Sequence, residues 1–174
     1  YPDGFKMTIH GPNDRYINDA KIAEALAQML NRVGIEASVE TMPKAVYFKR
    51  ASRGGPNKSP EFSFMLLGWG AGSGEASSPL KALLHTYDKS KGLGAANRGR
   101  HSDAEVDKLV QKALATVDAD ARGALLAKAT ERAVGVNYGV IPMHYQVNTW
   151  AAKKGYSYLP RTDERTIVTG LSGS

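Results

Sequence analysis

The stretch from Phe5 to Met42 constrains the fold more than any other part of this 174-residue chain. FKMTIH (5–10) alternates apolar and polar residues, as a half-buried strand does. Ile22, Leu26, Met29, Leu30 and Val33 then recur at helical spacing, which predicts a helix with these side chains on its inner face. Gly34 follows where a left-handed C-terminal cap belongs. IEASVETM (35–42) alternates again, with Ile35, Ala37 and Val39 on one side. A strand–helix–strand run of this length predicts two parallel strands joined by a right-handed crossover. The fold class is α/β.

The remainder fits one lobe of that class. Pro43 opens a short helix through Phe48, and RASRGGPNKSP (50–60) has turn composition and is expected to be mobile. FSFMLLG (62–68) is apolar without alternation, as a strand covered on both faces should be. Ser78 and Pro79 suit the N-cap and first position of a helix carrying Leu80, Leu83, Leu84 and Tyr87 on one stripe. A polar loop spans 88–101. Ser102 and Glu105 have capping-box spacing ahead of Val106, Leu109, Val110 and Ala113. A further helix is expected over 119–134, burying Leu126, Ala129 and Ala133, and VIPMHYQVNTWAA (140–152) reads as a strand. The tail adds few signals, and there is no internal repeat.

Composition narrows the chemistry. The chain is 42% hydrophobic and 23% charged, ordinary for a globular protein. Without cysteine it has neither a disulfide framework nor a thiolate zinc site. The net charge of +6 invites a nucleic-acid reading through Lys44, Lys49, Arg50, Arg53 and Lys58, with Tyr47 and Phe48 between them. A solvated face is the plainer account of the same residues. His10, His85, His101 and His144 are scattered without metal-ligand spacing, and no G-x-S-x-G elbow is present. Neither catalysis, a metal nor a cofactor is expected.

The glycines of LLGWGAGSGEASSP (66–79) do not form a dinucleotide fingerprint. A G-x-G-x-x-G run starting at Gly68 would need glycine at Ser73, and one starting at Gly70 would need it at Glu75. Geometry offers another use. In an open parallel sheet ligands sit beyond the carboxyl ends of the strands. GPNDRY (11–16) and the glycine stretch both leave such ends. Asn13, Asp14, Arg15, Tyr16, Trp69 and Glu75 are therefore candidates for one small-molecule pocket. Trp69 is equally readable as a plug at a strand end. Tyr16 is readable as a staple onto the next helix, and Glu75 as a charge near a helix N-terminus.

IAEALAQMLNRVGIEASVET (22–41), FSFMLLGWG (62–70), NRGRHSDAEVDKLVQKALATVDADARGALLAKATE (97–131) and IPMHYQVNTWAAKKGYSYLPRTDE (141–164) cover most of the chain. In order and spacing they resemble the C-terminal lobe of the family 5 extracellular solute-binding proteins, receptors of peptide and nickel ABC importers. The resemblance implies a periplasmic-binding-protein-like lobe, with a mostly parallel sheet flanked by helices. Residues 1–174 would be a single lobe of a bilobal receptor whose N-terminal lobe and secretion signal lie elsewhere, in keeping with a first residue that is Tyr1 rather than Met. It implies a small-molecule or peptide ligand, delivery to an ABC-importer permease, a periplasmic or extracellular location, no nucleic acid and no catalysis. In that family the Gly-Trp turn lines the cleft, which places Trp69, Gly70 and Gly72 there. In peptide-binding members an acid three residues after the Trp receives the ligand's ammonium group. That position here is Gly72, with Glu75 three residues further on. Asn97, Arg98, Tyr145 and Asn148 are further cleft candidates.

Overall fold

The computed structural model describes residues 1–161, 163 and 165–173. Thr162 and Glu164, in the last of the resembling stretches, lie outside the described residues.

The N-terminal unit forms as its pattern predicts. β1 (Phe5–Pro12) pairs in parallel with β2 (Ile35–Met42), in register from Phe5 opposite Ile35 to Pro12 opposite Met42. The crossover is α1 (Asp19–Arg32), and Gly34 closes it with φ 88°, a conformation that costs glycine nothing. The helix sits rotated from its expected face. Ala23 and Ala27 are buried against Ile9, with Leu26 and Leu30 packed beside them. Met29 and Val33 are 60% and 73% exposed. A two-stranded sheet is too narrow to cover the whole apolar stripe, so the alanines, which admit the closest approach, take the contact.

The third expected strand is reduced to one rung. Residues 62–68 meet the free edge of β1 through a parallel bridge between His10 and Met65. His10 N–H donates to the Phe64 carbonyl at 3.1 Å and Leu66 N–H to the His10 carbonyl at 2.8 Å. The direction is as expected, but the ladder does not continue. The Leu66 carbonyl is taken instead by the phenol of Tyr47 at 2.7 Å.

That phenol comes from α2 (Lys44–Arg53), which outruns its expected end at Phe48. Arg50 accounts for the extension: it pairs with Glu40 on β2 and Glu61 beyond the loop, and so ties the last turn down. Tyr47 and Ala51 bury beneath it with Met42 and Phe62.

The second half is helical. α3 (Ser77–Pro79) passes directly into a π-turn over Leu80–Leu84, and helix begins one residue before the expected cap at Ser78. Tyr87 lies beyond this segment and is exposed. α4 (Ala104–Leu114) and α5 (Ala119–Thr130) pack against each other through Val106, Val110, Ala113, Leu126 and Ala129. α5 continues as a π-segment over Glu131–Val136, which brings Ala133 into the same core with Leu80 and Leu84. The cap of α4 is Asp103, not Ser102. Its carboxylate accepts from the N–H groups of Glu105 and Val106, both at 2.9 Å.

Residues 140–152 form no strand, and Ile141, Met143, Tyr145 and Val147 are exposed. Alternation suits a strand only where a neighbouring edge exists, and the described residues offer none here. A short antiparallel pair follows, β3 (Tyr156–Tyr158) with β4 (Leu171–Gly173).

Candidate functional site

A pocket of about 330 Å³ opens where the β1 loop, α2, the glycine stretch and the 97–98 turn converge. Each wall has a local cause. The loop after β1 is held by Asp19, whose buried carboxylate accepts from the N–H groups of Arg15 at 2.9 Å and Tyr16 at 3.0 Å. Asp14 accepts from Lys44 N–H at 2.6 Å, which satisfies an orphan donor at the start of α2. With both ends pinned, Tyr16 reaches across to donate to the Gly68 carbonyl at 3.2 Å. Arg15 lies over the Tyr16 ring, its guanidinium carbon 5.0 Å from the centroid.

α2 contributes Phe48. Arg98 lies over that ring, its guanidinium carbon 5.3 Å from the centroid, and donates from Nε to Ser52 Oγ at 3.0 Å, so the helical half of the molecule reaches the sheet half here. Trp69 closes the third side. Its indole N–H points to Ser78 Oγ at 3.4 Å and its side chain stays 44% exposed, which disfavours the strand-end plug.

The glycines divide by purpose. A Cβ on Gly68 would stand 2.7 Å from the Tyr16 ring, and Gly74 has φ 73°. Added carbons on Gly70 or Gly72 would meet nothing, and Gly70 lines the pocket.

Of the residues singled out in the sequence, Tyr16, Trp69, Gly70 and Arg98 line this pocket, together with Arg15. The others sit elsewhere. Asn13 continues the β1–β2 ladder by donating its N–H to the Met42 carbonyl at 3.0 Å, with its side chain in solvent. Gly72 lies further along the exposed loop. Glu75 turns the other way, accepting from Ser77 Oγ at 2.6 Å and from Arg122 Nε at 2.9 Å. Those two contacts hold its carboxyl below the usual range, the serine bond contributing most. Asn97 is 3% exposed and stitches the loop: its amide donates to the carbonyls of His85 and His101 and accepts from His101 N–H. Tyr145 and Asn148 lie on the 140–152 segment, outside the pocket lining.

Phe48 was legible only as one member of a basic, aromatic run, and its neighbour Tyr47 proves to be core. The same run presents less free charge than its sequence suggests, since Arg50 is committed to Glu40 and Glu61. Tyr47 is buried and presents no face to a partner, while Phe48 faces the pocket under Arg98. Among the described residues no group of three His, Asp or Glu side chains is placed to hold a metal ion. Among the described residues no helix is long and apolar enough to cross a membrane.

No family model matches the sequence, and no curated protein matches it either. Solved structures do. HbpA2 from Haemophilus parasuis superposes on the whole chain with a TM-score of 0.77 at 21% identity, over 33% of its own length. The chain carries the fold of the family 5 solute-binding proteins. The ABC transporter-associated periplasmic binding protein DppA from Helicobacter pylori, in complex with the peptide STSA, shares this solute-binding fold. It matches 75% of the chain with a TM-score of 0.62 at 27% identity, over 24% of its length. NikZ from Campylobacter jejuni, in complex with Ni(L-His), matches 74% with a TM-score of 0.58 at 18% identity, again over 24% of its length. The chain thus spans about a quarter to a third of the solute-binding proteins it matches. In an open sheet of this solute-binding fold, the pocket sits beyond the carboxyl ends of β1 and the 62–68 segment, where ligands of parallel sheets collect.

Proposed function

We propose that this chain is one lobe of the solute-binding component of an ABC importer, and that its pocket is this lobe's half of an interlobe cleft. The observation that carries the reading is the convergence of Tyr16, Phe48, Trp69, Arg15 and Arg98 around an open hollow at the strand ends. Aromatic walls with a few placed polar groups are the usual make-up of a small-molecule site. The likeness of the whole chain to one third of HbpA2 supports the same view. A second lobe, from the remainder of the receptor, closes over the solute by hinge motion and excludes water from it. The closed receptor then docks on a permease outside the cytoplasmic membrane. The protein performs no chemistry on the solute.

Native mass spectrometry of the full-length receptor, purified gently from the envelope of its own host, tests this. A bound mass that vanishes on denaturation is the expected result. The chain 1–174 alone is expected to bind the same solute far more weakly, because half the contacts are missing. A folded full-length protein that neither carries a solute nor gains thermal stability from any member of a broad solute panel would defeat the reading.

A further inference from the structure

The charges around the pocket are one-sided. Two guanidiniums, Arg15 and Arg98, line it, and among the described residues no acid does. Among the described residues neither arginine has a carboxylate within ion-pairing distance, whereas Arg50 has two and Arg122, Arg132 and Arg161 have one each. Arg98 spends its Nε on Ser52 and leaves both terminal amino groups without a protein acceptor among the described residues. The Arg15 side chain has no acceptor among them at all. Each guanidinium lies over an aromatic ring, Arg15 over Tyr16 at 5.0 Å and Arg98 over Phe48 at 5.3 Å from the centroid, which favours its staying at the pocket wall.

The acids nearest these residues in the chain are engaged elsewhere, Asp103 beyond Arg98 being paired with Arg132. Asp14 caps α2, Asp19 holds the β1 loop, and Glu75 is locked to Ser77 and Arg122. A cationic group entering the pocket meets two like charges and no counter-charge. An anionic oxygen meets two guanidiniums whose terminal amino groups have no protein acceptor among the described residues.

Resting on the receptor reading above, we infer that the solute taken by this lobe is an anion: a small carboxylate whose flat or apolar body lies between Tyr16, Phe48 and Trp69. Planar forks match carboxylates with two parallel hydrogen bonds, and the rigid plane of the guanidinium limits the freedom lost in making them. The aromatic walls take the body by area and shape, so the head group, not the body, sets the selectivity. Free amines are excluded by repulsion as well as by the missing partner.

The test uses the full-length receptor and three probes with one body and different heads: phenylacetate, phenylacetamide and phenethylamine. A screening set of carboxylates, amines and neutral solutes is run beside them, with binding read by calorimetry and thermal shift. Carboxylates are expected to be the binders, with the matched amide weaker by about ten- to a hundredfold and the amine silent. Affinity should fall with added salt. Arg98→Gln and Arg15→Gln should each erase most of the preference of carboxylate over amide, while Arg98→Lys, which keeps the charge, retains part of it. If amines or neutral solutes bind as well as carboxylates, or the Gln variants leave the preference intact, the anion assignment is wrong and the receptor reading stands. If a cooperatively melting receptor responds to nothing in the set, both fall together.

Discussion

The phenol of Tyr16 donates to the carbonyl of Gly68 at 3.2 Å, and the ring lies so close that a Cβ on Gly68 would stand 2.7 Å from it. This one contact joins the two loops that leave the strand ends, and it makes the glycine a steric requirement of the pocket. Gly68→Ala is expected to displace the Tyr16 ring and destabilise the receptor by about 1–3 kcal/mol, as overpacking does. Gly70→Ala, with open space around it, should stay within about 0.5 kcal/mol. Denaturant unfolding of the two variants side by side decides whether the glycines are equivalent.

Tyr47 holds the third segment to β1 in place of a ladder. Burial pushes its phenol up from the ordinary value, so it stays a protonated donor throughout the physiological range. Tyr47→Phe keeps the ring contact with Phe62 but deserts the Leu66 carbonyl, and should cost about 1–3 kcal/mol. Amide exchange at Leu66 should accelerate with it, because that N–H closes the only rung to His10. Unchanged exchange there would mean the backbone rung and apolar packing hold the segment without help from the phenol.

Glu75 fastens the glycine stretch to α5 through Ser77 and Arg122. Glu75→Gln should lower the melting temperature slightly and leave carboxylate affinity within about twofold, since a half-exposed pair contributes little. Calorimetry on the variant checks it. A large gain in anion affinity would show that the carboxylate faces the cleft when the receptor closes.

Acid should loosen the helical half first. Hydrogen bonds from Arg132, from the Val106 N–H and from Asn137 hold the Asp103 carboxyl far below its ordinary 3.8. A depressed folded value means that its stabilising contribution is complete above about pH 4 and is lost as the pH falls through the folded value. Asp103→Asn should lower the melting temperature by several degrees at pH 7, and the gap to the unaltered protein should narrow below pH 4. Melting curves at pH 7, 5 and 3 test this. A pH-independent gap would assign the effect to the helix cap alone.

Local signals were legible wherever the chain solves its own problem. Gly34 ends α1 and the 5–42 unit pairs in parallel because cap chemistry and period-2 alternation act over a few residues. Signals that need a neighbour misled. The same apolar alternation that makes β2 a strand leaves 140–152 without one, for want of an edge to pair with. Asp103 takes the cap from Ser102 because Arg132, far along the chain, fixes its carboxylate. At the pocket, the sequence placed Tyr16 and Trp69 near one another through strand order. Phe48 escaped notice because nothing local separates it from its buried neighbour Tyr47.

By itself, then, the sequence determined the α/β class, the crossover unit and the absence of cysteine and nucleotide-loop chemistry, since periodicity, caps and residue identity decide these at short range. Only the tertiary structure decided which charges remain free. Glu75 and Arg50 are spent on Arg122, Glu40 and Glu61, while Arg15 and Arg98 face the pocket without an acid. Ion pairing depends on distances between segments remote in the chain, and no local pattern encodes those distances.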